Sequence, residues 1–250
     1  MGTARAQLRE PPGGWLPPGR LAAHERAENF PVALRALPRA YRRDLRAVYA
    51  FARGVDELGD SAGGDRAARL RHLEEELGRI WSGGPLVDPV LVDLSHTVHA
   101  HDLPAEPFHR LVHANLQDQV VTRYESFDDL LGYCRLSADP VGRIVLGIFE
   151  RARPETVALS DRVCTALQLL EHWQDVGEDR RAGRVYLPQE DLRAYGVPEP
   201  DLDRDAASPA LAALMMAEIE RAGTLLDEGA GLVGRLHGWA RPCVAGFVAG

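Results

Sequence analysis

The stretch TALQLLEHWQDVGED, residues 165–179, decides the fold because it carries a polar stripe on an otherwise apolar helical pattern. Gln168, Glu171, Asp175 and Asp179 follow one another at i, i+3, i+7 and i+11, which places them on one face of a continuous helix. Leucine and tryptophan fill the flanking positions, which argues against a fully exposed helix. A buried polar stripe costs free energy unless it is satisfied, and metal ions with a diphosphate would satisfy it. A surface helix with its polar face outward is the alternative.

A second acidic pattern lies in YAFARGVDELGD, residues 49–60. Asp56 and Asp60 are four residues apart and share a helix face with Arg53 and Tyr49. Two aligned carboxylates repel each other unless a cation lies between them. Mg²⁺ fits because it takes one or two carboxylates and completes its shell with water and phosphate oxygens. Such a pair also occurs on solvated helix faces, so the second motif is needed to support the metal interpretation.

The rest of the chain predicts a single all-α domain that begins near Arg20, after a Pro- and Gly-rich leader at 1–19 that we expect to be disordered. Apolar periodicity indicates about eight to ten helices. The clearest helical segments are 39–58, 65–81, 86–101, 105–123, 126–151, 155–176 and 208–235. Turn signals separate these segments, and we find no hairpin signal with alternating apolar residues.

Composition narrows the function classes. The 250 residues carry a net charge of −8, and all 29 basic residues are arginine, so the chain is a poor candidate for binding nucleic acid. The three cysteines are far apart and form no CxxC motif, which is typical of free thiols in a reducing, cytoplasmic compartment. Neither a signal peptide nor an apolar stretch of about 18 residues is visible. Peripheral membrane contact stays open: the arginine cluster over residues 39–46 is typical of a solvated helix face, and contact with anionic lipid is the alternative.

Four stretches carry a resemblance to a known family. They are ENFPVA at 28–33, YAFARGVDELGD at 49–60, YCRLSADPVG at 133–142, and WQDVGED with the following GRVYLP at 173–188. In this order and spacing, from about Arg20 to the end, the chain resembles the squalene/phytoene synthase family. ENFPVA and HWQDV are similar to the bacterial hydroxysqualene synthase branch.

The resemblance implies a single-domain isoprenoid-synthase helical bundle with a central apolar pocket. It also implies a Mg²⁺-dependent enzyme, with three ions, that converts presqualene diphosphate to hydroxysqualene in squalene and hopanoid biosynthesis. Diphosphate ionisation, rearrangement of the cation and capture by water make up this reaction. No NADPH is expected, because water rather than hydride quenches the final cation.

The resemblance also implies the site residues. The metal ligands are Asp56, Asp60, Glu171, Asp175 and Asp179. The catalytic residues are Tyr133, Tyr49 and Arg53, of which the arginine holds diphosphate and the tyrosines shape the cation pocket. The substrate-binding residues are Phe30, Asn29, Ala138, Val141, Gly142, Gln168 and Gln174, among which Val141 and Gly142 match small residues that let a prenyl chain pass.

Departures from the family pattern keep two alternatives open. Glu171 stands where the family usually has Asn, which adds a negative charge beside the second motif. His172 stands where Phe is usual, and packing is its expected role. Gln174 replaces an Arg that many farnesyl-condensing members carry, which argues against head-to-head condensation. The alternatives are a head-to-head prenyltransferase that makes presqualene diphosphate, squalene or phytoene, and a silent relative that binds a prenyl intermediate or a neighbouring pathway enzyme.

Overall fold

The computed structural model describes residues 37–60, 64–204 and 206–249. The predicted leader at 1–19 and two predicted substrate-binding residues, Asn29 and Phe30, therefore lie outside the described residues. Within these ranges the chain forms twelve α-helices and one 3₁₀ helix. The β-structure in this part is one isolated bridge between Arg123 and Val185. The predicted all-α class is confirmed.

The helices follow one another with short connections. They are α1 Arg39–Asp60, α2 Arg66–Ser82, α3 Pro89–His101, α4 Glu106–Gln117, α5 Phe127–Ser137, α6 Asp139–Ile148, α7 Pro154–Gln174, α8 Val176–Arg181, α9 Gln189–Ala194, a 3₁₀ helix Glu199–Asp203, α10 Pro209–Gly229, α11 Gly231–Arg235 and α12 Ala240–Ala249. Among the helices described, none is both long and apolar enough to cross a bilayer.

Helix breaks explain why the structure has more helices than the periodicity indicates. The segment predicted as one helix over 126–151 is divided into α5 and α6, which meet at Ala138. Pro140 lies in the first turn of α6, where its missing N–H costs no helical hydrogen bond. The predicted helix 208–235 is likewise interrupted, at Ala230. Apolar periodicity continues across such breaks, so the pattern alone does not reveal them.

Helix α7 is the central helix of the bundle, with several other helices packed against it. It packs against α10 along much of its length and also contacts α5, α6 and α11, while α1 packs against α2, α3 and α4. The α1 side of the core contains Phe51, Val55 and Phe108, all fully buried, and the α7 side contains Leu169 and Leu214. Each fully buried side chain of this size contributes about 1.5–3 kcal/mol to folding. The two clusters hold α1 and α7 in place on either side of the site described below.

The contact between α6 and α7 depends on Gly142. A Cβ at this position would lie 2.3 Å from Ser160 Oγ and 2.6 Å from Cys164 Sγ, which no unstrained side chain allows. Val141, its neighbour, is 37% exposed. The structure therefore gives Gly142 a role in helix packing, and the passage of a prenyl chain beside these two residues stays a prediction.

Replacing Gly142 with alanine tests this packing. Gly142→Ala should lower the free energy of unfolding by about 1–3 kcal/mol, because α6 must move away from α7. Gly132→Ala is the matched control, since Gly132 also lies inside a helix but has nothing within 4 Å of its added methyl group. That control should raise the free energy of unfolding by up to about 1 kcal/mol. Urea unfolding measures both, and equal effects of the two substitutions would contradict the close approach.

Candidate active site

A cavity of about 270 Å³ lies between α1, α4, α5, α7 and α8, and the segment that follows α8 also lines it. Its lining is mainly charged and polar. The lining residues are Arg53, Asp56, Asp60, Leu111, Ala114, Asn115, Asp118, Tyr133, Ser137, Gln168, Glu171, His172, Asp175, Asp179, Arg184 and Tyr186.

Both acidic motifs predicted from the sequence reach this cavity. Asp56 and Asp60 come from the last turns of α1, while Asp175 and Asp179 come from the end of α7 and from α8. The expectation of one continuous helix through the second motif is wrong, because α7 ends at Gln174 and Asp175 is the residue between α7 and α8, with φ −99° and ψ 11°. The four residues of the polar stripe, Gln168, Glu171, Asp175 and Asp179, nevertheless all line this cavity.

The carboxyl group of Asp56 is held by α4. Asn115 Nδ2 donates a hydrogen bond to Asp56 Oδ1 at 3.0 Å. Burial raises the pKa of Asp56 to about 6, although the bond from Asn115 and the charge of Arg53 act in the opposite direction. Gly59 makes the approach of Asn115 feasible, because a Cβ there would lie 2.3 Å from Asn115 Oδ1.

Asp118 is a site residue that the sequence interpretation missed. Tyr133 Oη donates to Asp118 Oδ2 at 2.7 Å, and Tyr186 Oη donates to Asp118 Oδ1 at 3.3 Å. Burial raises the pKa of Asp118 to about 6 and raises that of Tyr133 well above its usual value. Leu111, Asn115 and Asp118 line the same cavity and follow one another at helical spacing. The two polar residues Asn115 and Asp118 on one helix face were the sequence signal that could have indicated Asp118.

His172 is buried and packs, as predicted. Its ring stacks on Tyr186 with 3.8 Å between centroids and 12° between planes. Burial lowers the pKa of His172 to about 3, with help from the nearby charge of Arg184, so the imidazole is neutral at physiological pH. Gln168 Nε2 lies 3.3 Å from His172 Nε2, and a bond donated by the amide to that nitrogen would leave the ring proton on Nδ1. Nδ1 is 3.9 Å from Asp179 Oδ2.

Two arginines bring positive charge to the acidic lining. Arg53 Nε and Arg184 Nε are both buried, and neither has a hydrogen-bond partner in the part of the chain that the structure describes. Arg184 donates from both Nη atoms to Asp60 Oδ1 at 3.3 Å. The sequence predicts Arg53 as a site residue. It does not predict Arg184, although Arg184 lies in the GRVYLP stretch that carries the family resemblance. Buried guanidinium N–H groups without acceptors suit an anion with several oxygens.

Several other predicted site residues do not line this cavity. Tyr49 is half-buried on α1, Gln174 is exposed at the end of α7, and Ala138 is buried at the junction of α5 and α6. Leu111, Ala114 and the two tyrosines Tyr133 and Tyr186 supply the apolar part of the lining. This mainly polar cavity is therefore not the larger apolar pocket that the family resemblance implies.

The donor set fits Mg²⁺, a hard cation that prefers oxygen ligands. The residues with carboxylates that line the cavity include Asp56, Asp60, Glu171, Asp175 and Asp179. Across the described ranges, no three acidic, histidine or cysteine side chains converge to hold a metal ion by themselves. Mg²⁺ usually binds through one or two carboxylates together with water and substrate phosphates, so these residues suit a metal that arrives with an anion.

Comparisons with known proteins show the family to which the chain belongs. The family model described as squalene/phytoene synthase matches residues 23–250. The chain is 35% identical over 213 residues to hydroxysqualene synthase of Zymomonas mobilis, covering 84% of this chain and 71% of that protein. It is 33% identical to phytoene synthase of Arthrospira platensis, covering 81% and 71%. The crystal structure of squalene synthase HpnC from Alicyclobacillus acidocaldarius aligns with a TM-score of 0.83 and 40% identity, covering 92% and 89%.

The raised pKa of Asp56 predicts a pH-dependent effect of Asp56→Asn on stability without metal. A folded-state pKa of about 6, above the usual 3.8, means that the folded protein loses stability as the pH rises from about 4 to 6. Asp56→Asn does not lose this stability, because asparagine does not ionise. Its free energy of unfolding should exceed that of the wild type by roughly 1–3 kcal/mol at pH 7 and by much less at pH 4.

Urea unfolding in chelator-containing buffer at several pH values measures this difference. Glu220→Gln is the control, because Glu220 is exposed on α10, far along the chain from both motifs. Its difference from the wild type should stay level between pH 4 and 7. A level difference for Asp56→Asn as well would show that the carboxyl group is solvated in the folded protein.

Proposed function

Because the chain belongs to the squalene/phytoene synthase family, we propose that it converts presqualene diphosphate to hydroxysqualene in a Mg²⁺-dependent reaction. One observation carries the proposal. Acidic residues of both motifs line the same cavity as two arginines whose buried Nε atoms have no acceptor in the described part of the chain. This arrangement suits a diphosphate bound together with metal ions.

Both ends of the site would hold the diphosphate through metal ions, and an arginine would contact it directly. Asp56 and Asp60 would hold metal from α1, and Asp175, Asp179 and Glu171 would hold it from α7 and α8. Three Mg²⁺ ions, when bound, would neutralise the charge that grows on the departing diphosphate. Arg53 would donate hydrogen bonds to diphosphate oxygens that the metals leave uncovered.

The reaction breaks the C–O bond to the diphosphate, which leaves with the bonding electron pair. The remaining cyclopropylcarbinyl cation rearranges, a water oxygen adds to it, and the departing diphosphate accepts the proton that this water loses. The aromatic ring of Tyr133, whose centroid lies 5.6 Å from that of Tyr186, would stabilise the cation. The phenols of both tyrosines stay neutral because burial raises the pKa of both hydroxyl groups, so they donate to Asp118 and do not act as bases.

The proposal includes no nicotinamide cofactor, because water and not hydride quenches the final cation. Gln174 supports this branch of the family, since many farnesyl-condensing members carry Arg at the matching position. The similarity to Arthrospira platensis phytoene synthase supports a second candidate, head-to-head condensation of two prenyl diphosphates. Glu171 supports a third, a silent relative, because its carboxylate adds negative charge to the cavity where the family usually has an uncharged Asn.

Product analysis distinguishes the three candidates. Purified protein with Mg²⁺ and presqualene diphosphate, without NADPH, should yield hydroxysqualene, detected by mass spectrometry. Asp175→Asn should slow this reaction by roughly 100-fold or more, because it removes charge that stabilises the leaving group. Glu178→Gln is the matched control, since Glu178 is an exposed acid on α8 that does not line the cavity. It should retain nearly full activity.

The other outcomes assign the chain differently. A condensed product from farnesyl or geranylgeranyl diphosphate, with presqualene diphosphate left intact, would establish the head-to-head prenyltransferase. Absence of turnover with all three substrates would support the silent relative and contradict the proposed reaction.

A further inference from the structure

We propose that Arg184 is an internal counter-cation that occupies the acidic site in the absence of metal, and that metal binding releases it from Asp60 to hold the diphosphate. The inference rests on the proposed function, because it assumes that the cavity takes metal together with diphosphate. It adds a device that couples the binding of the two ligands.

The position of Arg184 between acids from different helices is the first observation. Both of its Nη atoms donate to Asp60 Oδ1 at 3.3 Å, which joins the segment after α8 to the end of α1. The same guanidinium favours the charged forms of Asp118 and Asp179, since it acts to lower the pKa of both against the effect of burial. One positive charge therefore offsets three carboxylates that lie on or next to α1, α4 and α8.

The backbone around Arg184 is anchored, so only the side chain can respond. Gly183 has φ 87°, a left-handed conformation that favours glycine. Arg184 N donates to Asp179 O at 2.9 Å, and Val185 N donates to Thr122 O at 2.9 Å. Tyr186 is fixed by its stack on His172. The backbone of Arg184 is therefore held in place, whereas its side chain can change conformation and move the guanidinium group.

The bond to Asp60 is one that a metal ion can replace. Both Nη atoms share a single oxygen at a long distance, and the Asp60 side chain is 62% exposed, so solvent screens the pair. Arg184 Nε is buried and has no acceptor within the ranges described. A divalent ion on Asp60 would repel the guanidinium, and diphosphate oxygens would then supply the acceptors that the present arrangement lacks.

This competition predicts opposite effects of one substitution on two ligands. Removing the charge of Arg184 should strengthen the binding of metal alone, because the competing cation is gone. It should weaken the binding of diphosphate to the metal-loaded protein, because a charged donor is gone. A residue that merely supports the fold would weaken both.

The experiment uses the full chain with Mn²⁺ as a probe that electron paramagnetic resonance detects when it is free. Without diphosphate, Arg184→Gln should bind Mn²⁺ about threefold more tightly than the wild type. Arg184→Lys keeps the positive charge and should bind Mn²⁺ as the wild type does. Arg180→Gln is the matched control, because Arg180 pairs with Glu199 and Asp203 at 3.0 and 2.9 Å and does not line the cavity. It should leave the affinity unchanged.

Calorimetry with inorganic diphosphate at saturating Mn²⁺ completes the test. Arg184→Gln should weaken diphosphate binding about tenfold, and Arg184→Lys should weaken it less, because lysine keeps the charge but loses the planar fork. Unchanged or weaker Mn²⁺ binding in a folded Arg184→Gln would overturn the inference while the wild type still binds both ligands. If Arg184→Gln does not fold, Arg184→Lys with unaltered diphosphate affinity would overturn it. A wild type that binds neither ligand would overturn the proposed function as well.

Discussion

The burial of several carboxylates around one cavity is the constraint on which the rest of the structure depends. Burial raises the pKa of Asp56, Asp118 and Asp179 to about 6 each. All three are still mostly charged at neutral pH, although burial disfavours the charged form. Folding brings these groups together because large apolar clusters on the α1 and α7 sides fix the helices regardless of what the cavity contains. The site is thus built at a cost in stability, which is common where charge must act on a ligand.

Hydrogen bonds and one positive charge offset part of the cost of burying these carboxylates. Asn115 donates to Asp56, and the tyrosines 133 and 186 donate to Asp118, so each of these two carboxylates keeps at least one hydrogen bond after leaving water. Arg184 adds the charge that the hydrogen bonds cannot supply. None of these groups is a metal ligand of the two motifs, yet each sets how the acids are held before a ligand arrives.

Sequence patterns predicted the helical class, the two acidic motifs and Arg53, because helical periodicity and carboxylate spacing are local properties. They did not predict the break of the second motif at Asp175, since a single residue that leaves helical geometry does not alter the polar stripe. Asp118 was missed because its importance comes from Tyr133 and Tyr186, which lie 15 and 68 residues away. Gly142 matched a family position, but its contact with α7 depends on tertiary packing that no pattern within YCRLSADPVG reveals.

The most direct test of the central claim, that both motifs hold metal around one diphosphate, is anomalous diffraction from crystals grown with Mn²⁺ and inorganic diphosphate. The account predicts anomalous peaks within ligating distance of both Asp56 or Asp60 and Asp175 or Asp179, with diphosphate oxygens bridging them. It also predicts that the Arg184 guanidinium contacts diphosphate and no longer Asp60. Diphosphate bound elsewhere, or Mn²⁺ at only one motif with Arg184 still on Asp60, would contradict it.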